Sequence, residues 1–242
     1  MSQLTGEAAR LRSLIAAEKS DSVEGAVGWL RRLCRAAARE LPASGVAISV
    51  MTEEGSSSLA GASDTTTEAI EELQFTLGEG PCLDAFATRR PVLVPDLTRD
   101  AARRWPGYSA AVPGYGIRAV FAFPLQIGAA RLGALDVYRE QAGPLSAAAL
   151  SQALTFAKVA TMTLLEGQEN ANDGKGPAGL DEALDSHFAV HQAQGMVTVQ
   201  LGVNLIEAMA RLRAYAYAQD RGLGEVARDI VARKLNLEKD ER

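Results

Sequence analysis

The chain has 242 residues, enough for one large domain or a medium domain plus a small one. Hydrophobic residues make up 47% and charged residues 23%, ordinary for a soluble globular protein. A net charge of -5 excludes a global field that would attract nucleic acid or anionic lipid, so any such binding must come from a local patch.

The first forty residues carry helical periodicity. Leu4, Leu11 and Leu14/Ile15 form one apolar stripe, and Val23, Val27, Leu30, Cys34 and Ala37/Ala38 form a second that Pro42 ends. The opening, MSQLTGEAARLRSLIAAEKS, is charged through its middle and lacks the apolar region of a signal peptide. GVAISVM (Gly45–Met51) reads as a strand, with GSSSLAGAS as its partner across an acidic turn. Asp64 and the threonines after it can cap a short helix carrying Ile70 and Leu73. FTLGEGPCLDAF is a Gly-rich turn into a helix with Pro81 at its first position. PVLVPDL is a short strand, and RDAARRWPGYSAAVPGYG a loop-rich connection with room for one or two short helices. IRAVFAFPLQIG and ARLGALDVYR look like a hairpin turning at Gly128.

Pro144 starts a long helix to about Glu166. Its most membrane-like window, Leu145 to Leu165, is interrupted by Gln152 and Lys158 and reads as amphipathic, not spanning. The Gly- and Asn-rich GQENANDGKGPAG (Gly167–Gly179) is the best domain boundary. Beyond it there is no strand signal, and three amphipathic helices are expected at about 181–201, 205–219 and 223–237. The expected division is an N-terminal helix (1–19), an α+β domain (20–166), a linker (167–179) and a small all-α bundle (180–242). The α+β domain should hold an antiparallel sheet of about five to six strands, packed by helices on one side.

The block from LGEGPC through RWP to G-x-R-x-x-x-x-F-P-L resembles a GAF domain, more narrowly that of actinobacterial GAF-ANTAR regulators; the likeness covers roughly 20 to 165. The C-terminal stretch resembles an ANTAR domain, an RNA-binding antitermination module. Gln192-Ala193-x-Gly195, Glu207-Ala208-Met209-x-x-Leu212-Arg213 and Leu223-x-x-Val226-Ala227 carry that resemblance. Where the family usually has Lys and Arg, this chain has Gln194 and His187, so two cationic positions are neutralised. The resemblance implies a signal-responsive cytoplasmic regulator that is a homodimer, binds hairpin loops of leader RNA and favours antitermination. It does not imply an enzyme or a membrane partner.

The residues allow rival readings. His187 and His191 share a helix face, but a zinc site needs a third ligand and no H-E-x-x-H pattern exists, so no metal site is expected. The stretch 187–237 holds six cationic against four acidic residues, a mild surplus. RNA recognition uses Arg with aromatic stacking on unpaired bases, so Gln192, Gln194, Gly195, Arg211, Arg213, Tyr215 and Arg221 are the candidate RNA contacts. Gly195 costs helix stability and serves either helix packing or a phosphate backbone.

Cys82, one residue past Pro81, could be a thiolate lowered by a helix dipole or a small buried cysteine. Phe75, Cys82, Phe86, Trp105, Tyr108, Phe121, Phe123 and Tyr138 could line a pocket for an unidentified small molecule or fill the core. No cofactor is expected. A DNA-binding module is disfavoured because GLGEVARDIVARK opens with Gly and Leu and carries acids; a protein-interaction bundle without RNA affinity stays open. A sulfoxide-reducing enzyme would need two neighbouring cysteines, and Cys34 and Cys82 fall on different predicted elements. The wide apolar faces of helices 3–18 and 144–166 suggest either dimer contacts or an ordinary intradomain bundle.

Overall fold

The computed structural model describes residues 2–19, 25–53, 57–99, 101–172 and 180–237. Two helices, α1 (Ser2–Ala16) and α2 (Gly25–Glu40), lead into the hairpin β1 (Gly45–Met51) and β2 (Ser57–Ala62). Helices α3 (Thr65–Leu77) and α4 (Pro81–Thr88) precede the short strand β3 (Val92–Val94). The loop-rich connection folds as α5 (Ala101–Arg104), α6 (Pro106–Ala111) and a 3-10 turn, Val112–Tyr115. The long hairpin β4 (Ala119–Ile127) and β5 (Ala130–Arg139) follows, then α7 (Ala147–Asn172). Helices α8 (Leu180–Leu201), α9 (Leu205–Ala218) and α10 (Leu223–Val231) complete the described chain.

The strands form one antiparallel sheet in the order β2-β1-β5-β4-β3. Alternation along β4 and β5 sends side chains to opposite faces. Phe121, Phe123, Leu135 and Val137 pack with Leu30, Leu33, Phe156 and Ala160 beneath α1, α2 and α7. Val120, Ala122 and Tyr138 face the other way, against Ile70, Ala85, Trp105 and Tyr108. Helices therefore cover both faces, not one. The second cover is made of α3 and α4, expected as helices, and of α5 and α6, which are too brief to show an apolar period, which is why their stretch reads as loop-rich.

Two further boundaries differ from expectation. The long helix runs on to Asn172 instead of stopping near Glu166, and the rest of the expected linker, 173–179, lies outside the described residues. Helix α10 ends at Val231, short of 237. One stretch of α7, Ala147–Gly167, is long and apolar enough to cross a membrane, but half of its most apolar window is buried in the protein. Ala153, Phe156, Ala157, Ala160 and Leu164 lie in the core with α2 and the sheet.

The C-terminal helices enclose their own core of Val190, Ala193, Val197, Leu212, Ala216, Val226 and Ile230. Asn204 caps α9, its side-chain oxygen accepting from the Glu207 N–H at 2.9 Å, as its position before an apolar period foretells.

Two glycines have opposite reasons to exist. A Cβ on Gly133 in β5 would stand 1.8 Å from the Ser49 carbonyl oxygen, so the β1–β5 pairing requires hydrogen there. Among the described residues, a Cβ on Gly195 would meet nothing within 4 Å, so close packing against them does not explain it. Gly133→Ala is expected to lower unfolding stability by about 3 kcal/mol or more, whereas Gly195→Ala should raise it by about 0.5–1 kcal/mol through helix propensity. Urea denaturation of the two variants checks both.

Candidate functional site

A polar cluster sits inside the first domain, where the GEGPC turn meets the sheet. Helix α3 begins with Asp64, whose carboxylate accepts from the Thr67 N–H at 2.8 Å, and ends at Gly78 in the left-handed region. Its inner face carries Glu71 and Gln74, both fully buried. The Gln74 amide NH2 lies 3.1 Å from Asp136 Oδ2 and 3.0 Å from the Tyr138 hydroxyl. Its carbonyl oxygen accepts from the Cys82 N–H at 3.0 Å, so the Gly-rich turn is wrapped around this one side chain. A Cβ on Gly80 (φ 147) would stand 2.2 Å from that oxygen, which excludes any larger residue. Glu79, in the same turn, accepts from the Tyr108 N–H at 2.9 Å.

Glu71 is the other hub. It accepts from the Ser49 hydroxyl at 2.8 Å and from the Tyr138 hydroxyl. Burial, and then the Glu71 carboxylate, push the Asp136 carboxyl well above the usual range. Burial, and then Asp136 and Glu71, push the Cys82 thiol up as well. The helix-dipole lowering considered for Cys82 is therefore reversed: desolvation beside two carboxyl groups outweighs a helix N-terminus.

The structure divides the aromatic set expected to line one pocket. Trp105, Tyr108 and Tyr138 pack together on the α3 side, and Phe75, Cys82 and Phe86 form an adjoining group. Phe121 and Phe123 point to the opposite face of the sheet and cannot share that space, because they alternate in register with Val120 and Ala122. The polar members Glu71, Gln74 and Asp136 were missed. The signals were a Gln three residues after Glu on a helix whose neighbours are apolar, and an acid inside the apolar run LGALDVY.

The outer face of α3 meets the C-terminal bundle. Arg213 of α9 lays its guanidinium against Gly78 at the C-terminal end of α3, where a Cβ would come within 2.7 Å of its Nη1. The negative end of a helix dipole favours a cation there. Glu72 of α3 meets the N-terminal end of α10, its carboxylate 3.5 Å from the Gly224 N–H, where the dipole favours an anion. The two contacts are complementary charges on two helix ends. Between them lies a cleft walled by Leu73, Thr76, Tyr115, Tyr217, Asp220 and Arg221.

The seven candidate RNA contacts are not equivalent in this arrangement. Gln192 and Arg211 are exposed, Arg211 pairing with Glu207 at 3.5 Å. Gly195 and Tyr215 are half-buried. Gln194 is turned inward and donates to the Leu205 carbonyl at 2.8 Å, tying α8 to α9. Arg213 is largely covered, its Nε buried without a hydrogen-bond partner, and burial lowers its pKa. Arg221 is clamped by Asp229 at 2.5 Å and Glu225 at 2.6 Å. His191 is half-buried, and the His187 side chain lies outside the described residues.

A five-stranded antiparallel sheet with helices on both faces and a polar cluster beneath its Gly-rich turn, followed by a small helical module, defines a sensor-type domain joined to an output bundle. Residues 29–164 match the GAF domain family and residues 178–231 the ANTAR domain family; the chain belongs to the GAF domain family, with the arrangement of a GAF-ANTAR regulator. No curated protein matches the sequence. Among solved structures, the chain is similar to the GAF domain of a phosphoenolpyruvate-protein phosphotransferase from Coxiella burnetii, at 14% identity and TM-score 0.54, covering 70% of this chain and 96% of that one. The corresponding Acinetobacter GAF domain gives 13% identity and TM-score 0.52, over 70% and 98%. At such identities the likeness concerns the fold alone.

Burial in the interface raises the Glu72 carboxyl, against hydrogen bonds from the Gly224 and Leu223 N–H groups and the charge of Arg228; Glu225 adds to the rise. A carboxyl raised in the docked state holds its proton more tightly there. Docking is then strongest below the ordinary carboxylate range and weakens as pH climbs through it. Hydrogen-exchange protection factors at the start of α10 should fall from about pH 4 to about pH 8. Glu72→Gln should flatten that fall and give higher protection at the upper end.

Proposed function

We propose that this protein is a cytoplasmic, signal-responsive regulator of transcription whose C-terminal bundle binds hairpin loops of leader RNA and favours antitermination. The observation that carries the reading is Arg213: it lies in the ANTAR-matching helix α9, yet it is covered by the C-terminal end of α3, the same helix that carries Glu71 and Gln74 in the first domain. A change in the buried cluster has a short mechanical path to an arginine suited to stacking on an unpaired base. In the docked form the RNA face is incomplete: Arg211 and Tyr217 are exposed while Arg213 is half-buried, with its Nε fully covered. Signal-driven release of the bundle completes it. Gln194 supports the angle between α8 and α9 and does not itself touch RNA in this state.

A homodimer fits the same picture, since Ile127, Leu154 and Met162 leave an apolar groove open along α7 and Val199, Leu205 and Ile206 are exposed on the bundle. The second set also fits a protein-binding bundle, and an RNA measurement separates the two. A reductase reading fits poorly, because Cys34 lies on α2 and packs on one face of the sheet while Cys82 lies on the opposite face.

Equilibrium binding of the full chain to a labelled hairpin RNA in low salt tests the reading. Arg211→Ala and Arg213→Ala should each weaken binding by about 1–2 kcal/mol. Glu72→Arg, which places like charge beside Arg228 and loosens docking, should strengthen it. Duplex DNA of equal charge should compete poorly. Undetectable RNA binding by folded wild-type and Glu72→Arg proteins would refute an RNA-binding function.

A further inference from the structure

RNA regulation leaves the chemistry of the buried cluster unexplained. One ligand atom each of Glu71, Cys82 and Asp136 lies within 4.8 Å of the others, and all three residues are buried. Two carboxyl groups and a thiol meet here, and the groups hydrogen-bonded to them are neutral: Ser49, Gln74 and Tyr138. Removing an ion from water costs several kcal/mol when nothing of opposite charge accompanies it. The cluster therefore has either to hold protons or to hold a cation.

Two open valences favour the cation. Asp136 Oδ1 is buried without a hydrogen-bond partner. On a separate element, α6, the fully buried Tyr108 hydroxyl has no partner at normal hydrogen-bond geometry among the described residues; it lies beside Tyr138 and in the field of Asp136, Glu71 and Cys82. Ser49, Gln74 and Tyr138 already hold the remaining carboxylate oxygens, as outer groups do around a metal.

We propose that Glu71, Cys82 and Asp136 bind a zinc-class divalent cation, with the Tyr108 hydroxyl at the fourth position. The donor set selects the ion: a thiolate excludes the hard magnesium and calcium ions and suits a tetrahedral, borderline-soft one. Tetrahedral bonds of the usual zinc lengths place ligand atoms about 3.3–3.8 Å apart, so the observed spacing needs only a modest contraction. On binding, the Cys82 S–H bond breaks and the proton of the Asp136 carboxyl leaves, both going to solvent as the metal–sulfur and metal–oxygen bonds form. No electron is transferred. Because Glu71 lies on α3 beside Glu72, such an ion would also be a signal for the bundle; that consequence rests on the regulatory reading above, while the binding itself does not.

Cobalt titration of the intact, chelator-stripped chain tests the site without RNA. One equivalent of Co2+ should bind with a thiolate charge-transfer band and intense tetrahedral d–d bands, both displaced by Zn2+. Cys82→Ser should abolish the charge-transfer band, and Tyr108→Phe, which keeps the ring packing, should weaken affinity about 10–100-fold. Cys34→Ser should leave spectrum and affinity unchanged. Asp136→Asn, close to the native shape, should weaken affinity at least about tenfold and decides the matter if Cys82→Ser does not fold. A folded wild-type chain with no saturable charge-transfer band overturns the proposal, as does a band that survives Cys82→Ser or an affinity untouched by Asp136→Asn.

Discussion

The arrangement depends on one helix being held on two sides by unlike forces. Inside, α3 is fixed by Gln74, whose amide touches Asp136, Tyr138 and the Cys82 backbone at once. Outside, its C-terminal end is covered by Arg213, and Glu72, one turn before Thr76, faces the start of α10. A buried amide with all its partners cannot shift without breaking several hydrogen bonds together, each leaving a desolvated group behind. The inner side is therefore stiff. The outer side is weaker: dipole attractions at its helix ends are individually worth less than about 2 kcal/mol and at Glu72 are opposed by burial, so it is where the two domains can part.

The same contrast explains why the bundle has its own apolar core and yet leans on its neighbour. Val197, Leu212, Val226 and Ile230 make it a packed unit, while its contact with α3 includes a covered arginine whose Nε goes unpaired. An orphaned donor of that kind is a cost of docking that any competing ligand for Arg213 would remove. Burial and dipole terms thus oppose each other at one residue, which is the condition for a contact that opens readily.

Much of the fold was legible in the residues because its signals are local. Asn204 before an apolar period, Pro81 after Gly80 and the paired runs IRAVFAFPLQIG and ARLGALDVYR each mark an element with no knowledge of the rest. What was not legible depends on distance in space. Phe121 and Phe123 look like pocket residues until the sheet has two covered faces. Gln194 looks like a surface position until the Leu205 carbonyl is placed beside it. The polar cluster joins residues as far apart as Glu71 and Asp136, and no window along the chain contains both. An acid in a strand of apolar neighbours was the readable trace, and a carboxylate at such a position always has a reason.

The length of α7 has its own geometric meaning. Its 26 residues span about 39 Å, and the helix leaves the sheet from a seat fixed by Phe156 and Ala160. The direction in which the polypeptide departs at Asn172 is thus a matter of helical phase. One residue more or fewer turns that departure by about 100°, whereas four leave it about 40° from where it began and seven about 20°. An insertion or deletion within α7 therefore acts on that departure as a rotation before it acts as a displacement.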